Sequence, residues 1–228
     1  RRHFRLISEI RPDIKIIVVR SGHGSGCDEE KMATKVTNSI EGAIKEGIQA
    51  AIISSPATLH LKQSLELAKN GIHLLIEKPI SHTSDGLMEL TKVVNENRVT
   101  VMIGYVLRYD LGAIKFKSWL DEKIKGKIIH ARIECGSYLP DWRPNQDYRK
   151  TVSALSKLGG GVLLELSHEL DYLHWFFGEP DSVQAQIRNS KTLDIDVEDQ
   201  ADLLITSKQG YCISVQIDFS RRHVERKC

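Results

Sequence analysis

The chain has 228 residues, 32 basic and 30 acidic side chains and a net charge of +2, with 41% apolar and 27% charged residues. That balance excludes a disordered or low-complexity chain and leaves no charge footprint for nucleic acid or an anionic membrane surface. No apolar run approaches the roughly 18 residues that span a bilayer.

The opening residues Arg1, Arg2 and His3 lack the apolar block of a secretory leader. Cys27, Cys135, Cys212 and Cys228 form no C-x-x-C pair. Free thiols in a reducing cytoplasm are expected, with no metal cluster.

In chain order, residues 1–7 read as a helix. Apolar runs at 14–19, 49–54, 73–76 and 99–104 read as strands buried on both faces. Between them, 58–69 carries Leu61, Leu65 and Ala68 on one stripe, with Pro56 near its first turn. Residues 85–95 carry Leu87, Leu90 and Val94. Gly71 after Asn70 is a helix stop. Strand and helix alternating in this way predict a parallel sheet with right-handed crossovers.

The second half alternates with period two. Ile129, Ala131, Ile133 and Cys135 share one face of 128–138, and His130, Arg132 and Glu134 the other. Tyr211, Ile213, Val215, Ile217 and Phe219 repeat the pattern, which predicts antiparallel strands with one covered face. One long helix is predicted over 164–177. The basic residues Arg221, Arg222, Arg226 and Lys227 read as a solvated tail. A charged stretch at 123–127 divides the chain into domains 1–122 and 123–228.

Two motifs carry chemistry. Glu77-Lys78-Pro79 ends an apolar strand, where ligands bind in open α/β sheets; a lysine there can donate or accept a proton. Taken alone, the triplet reads first as a loop with a surface lysine. The glycine run 159–161 precedes Glu165, His168, Asp171 and Tyr172. Glu165 and His168, three apart on a helix, suit a carboxylate orienting an imidazole base, or merely a stabilising surface pair.

Together these motifs resemble the Gfo/Idh/MocA family of NAD(P)-dependent oxidoreductases, which includes glucose-fructose oxidoreductase and inositol dehydrogenase. The matching stretches are residues 51–81, 101–110 and 159–180. The resemblance implies a Rossmann-like parallel sheet and an α+β domain with a mostly antiparallel open sheet. It implies hydride transfer between a nicotinamide and a sugar-like hydroxyl or carbonyl, with Lys78 bonding the reacting oxygen, His168 as base and Glu165 as its orienter. Cofactor contacts are implied for Arg20, Ser21, Ser54, Ser55, Pro56, His60, Glu77 and Lys78. Arg20 and Ser21 at a strand end suit a 2′-phosphate, which puts NADP ahead of NAD. Substrate-side candidates are Arg108, Tyr138, Trp142, Tyr148 and Arg149.

Two features depart from the family. No strand with a G-x-G-x-x-G loop precedes the first helix, and the glycine-rich run at 22–26 follows the wrong strand to replace it. The chain also stops soon after the strand at Phe219. It therefore reads as an internal portion of a longer enzyme, expected to bind NAD(P) weakly or not at all, with two unpaired sheet edges. A non-catalytic binding or regulatory protein on the same fold is the alternative. An oligomer through the open sheet is expected.

Overall fold

A computed structural model describes residues 2–22, 26–124 and 126–228. The chain forms two compact units that interleave in sequence. The first holds residues up to Ser54 with His60–Ile76 and Asp85–Met102; the second holds Ser55–Leu59, Glu77–Ser84 and Ile103–Cys228.

The first unit begins with α1 (Arg2–Ile10) and β1 (Ile17–Val19). β2 (Lys35–Thr37) pairs with β1 in parallel, and α2 (Ile40–Lys45) follows. Ser39 caps α2 by accepting from the Gly42 amide at 3.0 Å, which satisfies an otherwise orphaned donor. β3 (Ala50–Ile53), α3 (Ala57–Lys69), β4 (His73–Ile76), α4 (Leu87–Glu96) and β5 (Val101–Ile103) complete the alternation, the first three residues of α3 and the last of β5 belonging to the second unit. The strand order is β3-β4-β5, with β3 and β4 parallel. Among the described residues no pairing joins this ladder to β1-β2.

Strands are present at all four expected positions, with the expected bounds at 73–76 and shorter ones at 14–19, 49–54 and 99–104. β2 and α2 were not predicted; β2 has one apolar residue, Val36, and that residue is exposed. The core comprises Ile53, Leu67, Ala68, Ile72, Leu74, Ile76, Leu90 and Val93. On α3 the buried stripe runs through Ser64, Leu67 and Ala68, while the predicted Leu61 and Leu65 are half-buried. Gly71 ends α3 at φ +73, its amide donating to Ala68 O. Of the glycine-rich run, residues 23–25 lie outside the described residues.

The second unit contains α5 (Leu111–Asp121), β6 (His130–Gly136), α6 (Val162–Glu165), α7 (Ser167–Phe177), β7 (Pro180–Arg188), β8 (Gln200–Ser207), β9 (Cys212–Asp218) and β10 (Glu225–Lys227). Its five-stranded sheet runs β10-β6-β9-β8-β7 and is antiparallel except where β6 meets β9. The period-two faces are as expected: Ala131, Ile133, Cys135, Ile213, Val215, Ile217 and Phe219 are buried in one cluster with Leu166, Tyr172, Leu173 and Phe177. Ile129 lies before β6 and is exposed.

Two predictions fail here. The helix predicted over 164–177 is interrupted at Leu166, which leaves helical geometry at φ −97 and ψ 28. The basic C-terminal residues are no solvated tail. β10 is an edge strand on β6, Arg221 bonds Asp218, Glu134 and Glu225, and Arg226 Nε donates to Glu169 Oε1 at 2.6 Å. Glu169 is fully buried, at 0% exposure, so this charge-assisted bond compensates a carboxylate removed from water.

Replacing Arg226 by Met should therefore destabilise the protein by roughly 3 kcal/mol, because it strands a buried charge. The Glu169→Met, Arg226→Met pair should recover most of that loss. Chemical denaturation of the three variants checks both outcomes.

Candidate active site

The second unit gathers the chemistry-bearing residues around the break between α6 and α7. Glycines make the approach to α6. A Cβ on Gly160 would come within 2.4 Å of Val152 O, and one on Gly161, at φ +113, within 2.3 Å of Glu198 Oε1. Glu198 then accepts from the Val162 amide through its backbone oxygen and from the Leu163 amide through its carboxylate. The glycine run is thus a packing device that fixes where α6 starts.

Because α6 stops at Glu165 and the Glu169 amide donates to Leu166 O, the Glu165 carbonyl is available to another donor. Lys78 takes it. Its Nζ donates to Glu165 O at 2.8 Å and to Glu165 Oε2 at 3.3 Å. The Lys78–Pro79 peptide is cis, and both partner side chains are 20% exposed. Glu165, expected to orient His168, instead grips Lys78; the interruption at Leu166 takes Glu165 and His168 off a common helix face. Among the described residues no hydrogen bond joins the two.

His168 stands in the first turn of α7. The ring of Tyr105 meets it edge-on, with centroids 5.6 Å apart, and Nδ1 is buried without a hydrogen-bond partner among the described residues. Burial lowers its pKa from 6.5 to about 4, and the Lys78 and Arg226 cations push the same way against Asp171 and Glu77. At neutral pH the ring is an uncharged acceptor beside a lysine cation. Burial also pushes the Tyr105 phenol up.

One helical turn on, Asp171 receives both Nε and Nη2 of Arg108, with the shortest contact 2.8 Å. The Arg108 guanidinium also lies 5.6 Å from the Trp175 ring centroid. Arg108 was expected on the substrate side and serves here to hold α7. The other candidates are likewise engaged: Trp142 Nε1 donates to Ser137 Oγ at 2.7 Å, Tyr148 OH donates to Leu193 O at 2.8 Å, Arg149 bonds Asp147, and Arg222 stacks over Tyr138. Among the described residues none of these four bonds Lys78, Glu165 or His168. Tyr105 was missed as a site residue, although it directly follows the strand-end Gly104.

In the first unit Ser54 is exposed at the end of β3, and Arg20 and Ser21 follow β1. Arg20 is ion-paired to Glu30. His60 is 1% exposed, so the side chain expected to contact a cofactor is a core residue instead. Ser55, Pro56 and Glu77 belong to the second unit and are half-buried.

Residues 1–105 match the family described as oxidoreductases with an NAD-binding Rossmann fold, and residues 113–227 match the GFO/IDH/MocA C-terminal domain. The chain belongs to the GFO/IDH/MocA oxidoreductase family. Inositol 2-dehydrogenase of Acidiphilium cryptum is 25% identical over 98% of this chain and 65% of its own length. The 2,7-anhydro-N-acetylneuraminate hydratase of Escherichia coli is 27% identical over 60% of this chain and 36% of its own length. In structure, the WlbA dehydrogenase of Bordetella pertussis, solved with NADH and UDP-GlcNAcA, superposes with a TM-score of 0.84 at 18% identity, covering 98% of this chain and 65% of that one. The chain thus spans between about a third and two thirds of the length of these relatives.

Arg20 and Ser21 follow β1 and Glu30 lies in the 3-10 turn Asp28–Met32, which sets a cation, a hydroxyl and a carboxylate near one another; a carboxylate can accept from a ribose hydroxyl and an arginine can meet a phosphate. Gly104 meets Glu77 so closely that an added Cβ would lie 3.0 Å from Glu77 Oε2. Among the described residues no helix is long and apolar enough to cross a membrane.

The depressed His168 value has a definite sign. An unfolded chain binds this proton first as pH falls, so His168 costs stability progressively from pH 6.5 to about 4 and no further below. Imidazole resonances should titrate with a midpoint near 4, and Lys78→Met should raise that midpoint. A midpoint that Lys78→Met leaves unchanged would remove the lysine from His168's surroundings.

Proposed function

We propose that this chain is a portion of an oxidoreductase that interconverts a secondary hydroxyl and a carbonyl on a sugar or similar polyol. Residues 1–122 would hold NAD or NADP, and residues 123–228, with Lys78, would hold the substrate. The supporting observation is the pairing of unlike partners in the second unit: a lysine amine fixed by Glu165 and a neutral His168.

When bound, a nicotinamide supplies the hydride acceptor or donor. The chain supplies the rest. With Nδ1 of His168 closed off, Nε2 is the ring nitrogen left to take the hydroxyl proton. Lys78 Nζ, already donating to two oxygens of Glu165, has a third proton with which to stabilise negative charge growing on the substrate oxygen. Glu165 is a positioning residue for Lys78. Tyr105 packs against the imidazole and limits its rotation. In the first unit Arg20, Ser21 and Ser54 would meet the dinucleotide, and in the second Ser55, Pro56 and Glu77.

The outer face of the five-stranded sheet is the proposed contact between copies. It forms a concavity of about 550 Å³ lined by Arg132, Glu134, Gln184, Asp202, Leu204 and Gln216. Its mixed polar character suits a self-complementary interface held by side-chain hydrogen bonds.

The test is a fluorescence titration with NADH, followed by a turnover screen across inositols and aldoses. Lys78→Met and His168→Asn should each lower turnover by about 10²-fold or more, the usual scale of acid–base catalysis, while NADH affinity stays within a factor of about two. Unchanged turnover in either variant would remove that residue from the chemistry. NADH binding with no turnover of any polyol would favour the non-catalytic reading.

A further inference from the structure

A helix of one turn holds itself in place poorly, because few of its bonds are its own. Within α6 the Glu165 amide donates to Gly161 O at 3.0 Å and the Leu166 amide to Val162 O at 2.9 Å. Yet this turn has to present both oxygens of Glu165 to Lys78 Nζ. Its opening end is held from 35 positions further along the chain, by Glu198. Glu198 O accepts from the Val162 amide at 3.0 Å, and Glu198 Oε1 accepts from the Leu163 amide at 3.3 Å. The carboxylate fills the space that a Cβ on Gly161 would need.

Glu198 is itself well fixed. Its neighbours Val197 and Asp199 are both buried. Asn189 Nδ2 donates to Ile195 O at 2.8 Å and to Val197 O at 2.7 Å, and Asp199 Oδ1 accepts from the Ser190 amide at 2.8 Å. The segment between β7 and β8 is thus tied to itself before it meets α6. It also docks the residues ahead of the glycine run, since the Ser156 amide and hydroxyl donate to the Asp196 carboxylate at 2.9 and 3.0 Å. Val162 is buried as well, but apolar packing has no direction. Hydrogen bonds do, so the Glu198 acceptors set the rotation of the turn. Rotating a one-turn helix swings the Glu165 carbonyl and carboxylate together.

We propose that Glu198 is a positioning residue for Lys78, acting through the first amides of α6 to fix Glu165 and with it the lysine amine. Among the described residues no hydrogen bond joins Glu198 to Lys78 or His168. The consequence for turnover rests on the oxidoreductase reading above; the hold on Lys78 does not.

The His168 ring reports where the lysine stands. Burial holds its pKa down, Lys78 and Arg226 push the same way, and Asp171 and Glu77 oppose them. In an imidazole NMR titration of the whole chain, Glu198→Ala should raise the midpoint, as Lys78→Met does. Added to Lys78→Met it should change nothing further, because the cation it displaces is already gone. Glu198→Gln keeps an acceptor for the Leu163 amide and should restore the native midpoint. Glu198→Asp, one methylene short of that amide, should behave as Glu198→Ala does and replaces it if the alanine variant fails to fold. Misplacing a reacting group by about 1 Å can cost about 10²-fold in rate, so Glu198→Ala should lower kcat by at least about tenfold, with KM for the polyol within a factor of about two. An unchanged midpoint in Glu198→Ala, or a shift of the same size with and without Lys78, overturns the assignment. A folded native chain that turns over no polyol removes the oxidoreductase reading, and the titration then decides the hold of Glu198 on Lys78 by itself.

Discussion

The second unit's candidate site depends on one backbone carbonyl. If α6 and α7 formed a single helix, Glu165 O would accept from the Glu169 amide and have no capacity directed at Lys78. The interruption at Leu166 diverts the Glu169 amide to Leu166 O and releases the Glu165 carbonyl. A charged amine donating to that carbonyl and to the carboxylate of the same residue is fixed from two directions. The packed glycine run upstream sets where α6 starts, and α6's short length sets where the carbonyl falls.

The same interruption lets α7 seat itself independently on the sheet. Glu169, Tyr172, Leu173 and Phe177 face inward, and the Arg226 side chain from β10 reaches Glu169 under the helix. At the solvent side Arg108 grips Asp171. The helix is therefore pinned by two ion pairs one turn or less from His168, one on each side. Such pairs contribute little net stability compared with apolar packing, because both charges lose water. They do fix the rotation and register of the helix, and that decides which way an imidazole in its first turn points.

How much of this was legible in the sequence follows from the range of each interaction. β6 and β9 announce themselves because one face is buried in the core and the other is polar, so hydrophobicity alternates. β7 also alternates, with Val183, Ala185 and Ile187 against Gln184 and Gln186, and that alternation was passed over; the strand is exposed along nearly its whole length, so neither of its faces is buried as one face of β6 and of β9 is. β10 is composed of Glu225, Arg226 and Lys227, and Arg226 and Lys227 find their partners 57 and 93 positions away in Glu169 and Glu134, so charge alone suggested a tail. The break at Leu166 leaves no trace because Leu-Glu-Leu-Ser continues a helical pattern without a breaker. Lys78 and His168 stood out as candidates through their motifs. Their partners did not: Glu165 was assigned to the wrong one, and Tyr105 went unnoticed because a tyrosine after a strand has several equally ordinary explanations. His60 misled in the other direction, since the family resemblance carried it over as a cofactor contact and it is a core residue.

The charge environment of His168 gives the site a direction. Two cations, Lys78 and Arg226, outweigh the carboxylates of Asp171 and Glu77, and burial acts with the cations. All of these favour the ring without its proton. A base held neutral is ready to accept, yet with its pKa near 4 it holds an accepted proton weakly. In the proposed reaction it would depend on the substrate oxygen carrying little basicity of its own, which a bonded lysine cation would provide. Lys78 would then act on the proton from both ends, weakening His168 as an acceptor and weakening the alkoxide from which His168 would accept. Glu165 holds Lys78 through two oxygens and, among the described residues, forms no hydrogen bond with His168.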